Sequence, residues 1–145
     1  MSTTIQSTKL IKSNFFEDQN VNLNDLGRDF VIKYFKKEGK IIISTSQIRK
    51  FLSGVNAMQN QISVLNKDDE EYENKWTEIS NEIQYLRIKL AYQAGRADKD
   101  KAVALKNMRE EMDTIIKIIN NPDKFKKFSR LIEAIVAYHK FEGGE

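Results

Sequence analysis

Apolar residues recur at intervals of three and four along most of this chain, in separate runs that each predict one face of a helix. Leu23, Leu26, Phe30 and Tyr34, with Val31 and Phe35 alongside, form the first stripe; Lys36 and Lys37 suit its negative end, and Gly39 can supply a left-handed stop. Lys40-Ile41-Ile42-Ile43 is β-branched enough for a short strand, but no partner strand is evident and it leads at once into Ser44-Thr45-Ser46-Gln47. Ser44 and Gln47 have the spacing of a capping box, and Ile43 and Ile48 that of a hydrophobic staple, so a helix start is the stronger reading. Ile48, Phe51, Leu52, Val55, Met58, Ile62 and Leu65 then share one face of a second helix ending near Asn66.

Lys67-Asp68-Asp69-Glu70-Glu71 opens a long third helix with Tyr72, Trp76, Ile79, Ile83, Leu86 and Leu90 at helical spacing, running to Gly95. Its middle carries two adjoining apolar stripes, Ile83-Leu86-Leu90 and Tyr85-Ile88-Tyr92, an arc wide enough to predict cover from more than one neighbour. Arg87, Lys89 and Arg96 can lay their stems along that apolar surface and keep their charges at its edge. A fourth helix follows Asp98 through Leu105, Met108, Met112, Ile115, Ile116 and Ile119. Asn121 as cap and Pro122 at the first helical position start a fifth, with Phe125, Phe128, Leu131, Ile132, Ile135 and Val136 inward and Gly143-Gly144 as its stop. Residues 1–20 are polar apart from Leu10-Ile11 and Phe15-Phe16, and predict a flexible N-terminal arm whose aromatic pair docks. The expected fold class is therefore all-α: a single-domain helical bundle of about five helices over 21–145, behind that arm.

Composition sharpens this picture in a few places. A chain of 145 residues with 40% hydrophobic and 31% charged residues can bury a core as one domain, and one Pro with six Gly favours helix over long β-loops. The absence of Cys removes disulfides, thiol catalysis and thiolate metal sites together. No apolar run approaches the roughly 18 residues of a membrane span, and the first residues lack the apolar centre of a signal peptide, so no membrane partner and a cytoplasmic location are expected. A net charge of +3 is too small to demand nucleic acid; where the cations sit matters more than their number.

His139, with Glu142 nearby, has the chemistry of a general acid or base, but it falls on the Phe125-Phe128-Ile132-Ile135 stripe, where a packed, hydrogen-bonded histidine is the stronger reading. A helical di-metal site needs two Glu-x-x-His pairs, which a single His cannot supply, and there is no Gly-rich phosphate loop, Walker motif or nucleophile elbow. No catalytic residue, metal ligand or cofactor is expected. Asp68, Asp69, Glu70, Glu71, Glu73, Glu78 and Glu82 crowd the front of the long helix and basic residues follow it, as helix-dipole complementarity alone would arrange. Further cations at Arg49 and Lys50, and at Lys124, Lys126, Lys127 and Arg130, could line a phosphate backbone if the fold brings them to one face. Two binding classes stay open on this basis, with a purely structural helical interaction module as a third: an RNA-backbone-binding bundle, and a helix-turn-helix DNA-binding protein with Gly39 to Leu52 as turn and recognition helix. In the latter Thr45, Ser46, Gln47 and Arg49 lie near base edges, although the helix continues apolar to Leu65, beyond a compact reading head.

Three stretches in order carry a family resemblance: Ile43-Ser44-Thr45-Ser46-Gln47-Ile48-Arg49-Lys50-Phe51-Leu52, then Leu86 through Tyr92 to Gly95-Arg96, then Phe125-x-x-Phe128 leading to Glu133-Ala134-Ile135-Val136-Ala137-Tyr138-His139-Lys140-Phe141-Glu142-Gly143-Gly144. Together they resemble the small helical subunit of type III-A CRISPR (Csm) effector complexes, from the second helix to the end of the chain. Glu142 and Glu145 depart from the family's tendency to an aromatic and a basic residue at those positions. The resemblance implies a non-catalytic subunit of a ribonucleoprotein in antiviral defence, self-associating in a filament along guide RNA and target RNA and contacting the large and backbone subunits. It also implies RNA contacts at Arg49, Arg87 and Arg96, with Lys50, Lys89 and Lys140 in second place, and structural roles for Tyr138 and His139.

Overall fold

The computed structural model describes residues 9–144. Helix α1 (Leu23–Phe30) starts where the Asn22 side chain accepts the Asp25 backbone N–H at 3.0 Å, and it runs into a π-helical turn, Val31–Phe35. That wider turn lets Phe30 and Phe35, five residues apart, both enter the core, where neither is exposed to solvent. Strands β1 (Lys36–Lys37) and β2 (Lys40–Ile41) pair antiparallel, so the run at Lys40 does have a partner, and it is the end of the first predicted helix. Glu38 and Gly39, at φ of 53° and 80°, form the two-residue link, the left-handed pair that a tight hairpin requires.

Helix α2 (Thr45–Ser63) opens on the predicted capping box: the Ser44 hydroxyl accepts the Gln47 N–H at 3.2 Å, and the Gln47 side chain accepts the Ser44 N–H at 3.0 Å. Ile43 and Ile48, the staple pair, are both buried. Helices α3 (Tyr72–Arg96), α4 (Lys99–Ile116) and α5 (Pro122–Phe141) complete the bundle, α5 capped by Asn121 with Pro122 at its first turn. Its far end closes with Gly143 at φ 110°, its N–H donating to the Lys140 carbonyl and the Gly144 N–H to the His139 carbonyl. These five helices carry the all-α fold that the periodicity predicts.

Helix α5 lies between α1 and α2, and α3 packs along α4 and across α2. Phe125, Phe128, Leu131 and Ile132 of α5 meet Phe51 and Val55 of α2, Ile83 and Leu86 of α3 and Met112 of α4 in one continuous core. Helices α1 and α5 approach closely at Gly27, where a Cβ would stand 2.6 Å from the Ala134 Cβ and 2.9 Å from its carbonyl carbon. Tyr138 ties the same pair of helices, donating its hydroxyl to Asn24 Oδ1 at 2.7 Å.

Within the arm expected over 1–20, residues 1–8 lie outside the described residues, and residues 9–20 are docked. Ile11 and Phe15 are buried in the core and Phe16 packs partly buried against it, so the aromatic pair docks as expected, with Ile11 beside it. The buried Glu111 carboxylate accepts the Leu10 and Ile11 N–H groups at 2.8 and 3.0 Å and the Tyr34 hydroxyl. Burial, and then the hydrogen bond to that carboxylate and its charge, hold the Tyr34 phenol far above its ordinary pKa. Lys127 donates to the Phe15 and Asp18 carbonyls at 2.6 and 2.9 Å, and Lys124 lies over the Phe16 ring. Two of the four cations expected as a phosphate-lining run on α5 thus anchor this segment instead.

Candidate nucleic-acid interface

The face of α3 formed by Tyr85, Ile88 and Tyr92 has no cover. Its residues are 48%, 58% and 67% exposed, against the expectation of a second neighbour. The reason lies in the crossing of α2. A Cβ at Gly54 would stand 3.7 Å from Leu86, an ordinary contact, and beside this crossing an open groove of about 770 Å³ lies between the two helices, bridged where Gln93 Nε2 donates to the Gln47 carbonyl at 3.5 Å. Ser46, Gln47, Lys50 and Phe51 form one wall; Tyr85, Ile88, Lys89, Tyr92 and Arg96 form the other.

The groove is basic. Lys50, Lys89 and Arg96 line it, no Asp or Glu does, and none of the three forms an ion pair among the described residues. Lys89 Nζ lies over the Tyr85 ring at 5.6 Å from its centre and the Arg96 guanidinium over the Tyr92 ring at 5.6 Å, so each cation covers one face of an exposed aromatic ring. Without carboxylates to neutralise them, three cations in one concavity give it a positive field that attracts an anionic ligand.

The other residues singled out in the sequence do not join this cluster. Arg49 is exposed, but at 3.6 residues per turn it projects about 100° round α2 from Lys50, away from the groove. Lys140 is exposed near the end of α5. Arg87 turns toward α4, donating to both carboxylate oxygens of Asp113 at 2.6 and 3.3 Å and to Gln84 Oε1 at 3.4 Å. Its fork is therefore occupied by a carboxylate in the geometry a phosphate would use. The hydrogen bond from Arg87 holds the Asp113 carboxyl below the ordinary carboxylate range, outweighing partial burial, which pushes it up.

A depressed carboxyl pKa contributes stability that is fully present above its unfolded value, near pH 4, and is lost as pH falls through the lower folded value. Asp113→Asn is therefore expected to destabilise the fold at neutral pH, with its difference from the parent protein shrinking below about pH 4, as urea unfolding at several pH values measures. Equal differences at pH 7 and pH 3 would remove the ion pair from the account.

His139 is buried, its Nε2 donates to the Ile43 carbonyl at 2.6 Å, and its ring packs edge-on to Phe35. Gly144 covers it so closely that a Cβ there would stand 2.3 Å from His139 Nδ1. It is the packed histidine of the stronger reading, and Glu142 pairs with Lys36 at 2.8 Å. Glu145 lies outside the described residues. The helix-turn-helix arrangement does not form: α1 and α2 pack on α5 with a hairpin between them, and the Gln47 side chain is engaged in its own cap. Among the described residues, no helix is long and apolar enough to cross a membrane, and no group of His, Asp or Glu is arranged to hold a metal ion.

The groove residues that the periodicity assigned to the covered core are Tyr85, Ile88 and Tyr92. The available signal was the interleaving of Lys89 and Arg96 with them on the same helical face. Comparison with known proteins gives the chain a family setting. Residues 20–145 match the family model described as Csm2 Type III-A. The chain is 34% identical over 110 residues to the CRISPR system Cms protein Csm2 of Streptococcus thermophilus, covering 74% of this chain and 79% of that protein. It is 27% identical over 99 residues to the protein of the same name from Enterococcus italicus, covering 68% of this chain and 67% of that one. With the match running from before α1 through the end of α5, the chain belongs to the type III-A Csm2 family.

Proposed function

We propose that this protein is the non-catalytic small subunit of a type III-A CRISPR ribonucleoprotein effector complex, holding guide RNA and target RNA by the backbone without reading their sequence. The observation that carries this reading is the convergence of Lys50 from α2 with Lys89 and Arg96 from α3 in one groove free of carboxylates. Cations on flexible stems bind phosphate oxygens that every nucleotide presents, so they position RNA and leave sequence recognition to base pairing. Arg49 and Lys140, both exposed, serve as outer contacts to neighbouring phosphates. Arg87 can join them only by releasing Asp113, so its part in binding is the smallest of the set.

One copy offers few phosphate contacts and binds weakly. Self-association in a filament, together with contacts to the large and backbone subunits, would make further contacts effectively intramolecular and raise the avidity of the whole. The reading draws on the family for these partners and on the groove for the chemistry.

The test is binding of an unstructured RNA over a range of salt. Replacing Lys50, Lys89 and Arg96 together by Ala is expected to weaken binding about tenfold at physiological salt and to lower the slope of log affinity against log salt by about 2, since each lost single-strand contact removes about 0.7. Circular dichroism should be unchanged, because all three side chains are exposed. Arg87→Ala should leave the affinity nearly intact and lower stability through the Asp113 left unpaired. If the triple variant bound RNA as the parent protein does, the groove would not be the RNA contact. Strong preference for one duplex DNA sequence over another would favour a sequence-reading protein instead.

A further inference from the structure

Resting on the RNA reading of the α2–α3 groove, we infer that it selects single-stranded RNA, taking unpaired bases against the rings of Tyr85 and Tyr92 while Lys50, Lys89 and Arg96 hold the adjoining phosphates. The two tyrosines are seven residues apart on one helical face, about 10.5 Å along α3, with the exposed Ile88 between them. They differ from tyrosines with structural work elsewhere in the molecule. The Tyr34 and Tyr138 hydroxyls donate to Glu111 and Asn24, whereas neither groove tyrosine hydrogen-bonds another described residue. Large aromatic surface left in water, with no polar anchor of its own, has a ready use as a stacking platform, because every base has a π-face whatever its sequence.

The charge arrangement supports the same occupant. With a cation over one face of each ring at 5.6 Å from its centre, a nucleotide whose base stacks on the other face brings its phosphate toward that cation. An acidic protein segment would satisfy the cations but has no comparable use for two exposed rings at this spacing. A duplex presents phosphates at higher density than a single strand, so a site working through charge alone favours the duplex. In a duplex, however, the base faces are closed within the stack, and the rings have nothing to hold. Preference for a single strand is therefore the signature of stacking. It makes this groove sensitive to pairing: a complementary strand withdraws the bases from Tyr85 and Tyr92 and leaves only the backbone contacts.

The experiment uses the full chain and a labelled oligoadenylate, alone and annealed to oligouridylate, with binding followed by fluorescence anisotropy. The parent protein is expected to prefer the single strand. Replacing both tyrosines by Leu (Y85L with Y92L), which keeps apolar bulk at exposed positions, is expected to lose about tenfold in single-strand affinity with little change on the duplex. The Y85F with Y92F variant, which keeps both rings, should bind as the parent does. Circular dichroism of each variant checks that the fold is retained. Duplex preference in the parent, or parent-like single-strand binding by the leucine variant, would overturn the stacking inference. If that result came with loss of binding on replacing Lys50, Lys89 and Arg96 by Ala, the basic groove would still stand. Unaltered binding by the cation variant would remove the RNA reading of the groove and this inference with it.

Discussion

Glu111→Ala is expected to lower the stability of the fold by about 3 to 5 kcal/mol. The carboxylate is buried and accepts three hydrogen bonds, from the Leu10 and Ile11 backbone N–H groups and the Tyr34 hydroxyl. Removing it leaves the protein two routes, and both are costly. If residues 9–20 stay docked, two backbone donors and a phenol lose their acceptor, at about 1–3 kcal/mol for each group left unsatisfied in the interior. If the segment swings out to recover those bonds from water, Ile11 and Phe15 leave the core, at about 1.5–3 kcal/mol each. Glu111→Gln keeps one carbonyl acceptor and should lose less. Urea unfolding measures the stability, and amide exchange at Leu10 and Ile11 distinguishes the routes, since fast exchange at both marks the detached segment. A stable Glu111→Ala protein with slow exchange at those amides would contradict the clamp.

Gly27→Ala is expected to destabilise by about 2–3 kcal/mol, although Ala is the better helix former. The new Cβ meets the Ala134 Cβ at 2.6 Å, the Ala134 carbonyl carbon at 2.9 Å and the Ile135 nitrogen at 3.1 Å. Two of these atoms belong to the backbone of α5 and cannot be relieved by a rotamer change, so α1 and α5 must separate. That shift loosens Phe30 and Val31, which sit in the core just beyond the crossing. The ordinary gain of about 1 kcal/mol from replacing a helical Gly opposes the effect without cancelling it. Adding Ala134→Gly removes the shortest contact and leaves the two backbone contacts, so rescue should be partial. Thermal unfolding of the three variants checks the order: parent above double variant above Gly27→Ala. An increase in melting temperature for Gly27→Ala alone would mean that the helices are not in contact there.

What could be read in the sequence was local in its physics. The Ser44-Gln47 box, the Asn121-Pro122 start and the Gly143-Gly144 stop each depend on residues within a turn of one another, and all three are found. The periodic stripes gave five helices because the hydrophobic face of a helix is written at intervals of three and four. What was hidden depended on distant partners. Lys36-Lys37 read as the end of a helix until the π turn at Val31–Phe35 released it to pair with Lys40-Ile41. Tyr85, Ile88 and Tyr92 read as covered because hydrophobicity states a preference for burial, whereas the placing of neighbouring helices decides whether cover arrives, and these three line an open groove instead.

The candidate site divides in the same way. Lys50, Lys89 and Arg96 were singled out from the matched stretches and meet in the groove, a convergence that no spacing along the chain predicts. Arg87 was singled out with them, but Asp113, 26 residues further on, takes its guanidinium. Lys124 and Lys127 read as part of a basic strip, and their engagement with residues 15–18 follows from packing over more than 100 residues of chain.

The most direct measurement on the central claim is photocross-linking of 4-thiouridine-substituted RNA to the protein within its assembled complex, with the adducts located by mass spectrometry. The account predicts adducts on both walls of the groove, on the α2 peptide carrying Lys50 and the α3 peptide carrying Lys89, Tyr92 and Arg96. Adducts confined to other faces, such as the α3–α4 side at Arg87 and Arg109, with the groove peptides unmodified, would contradict it.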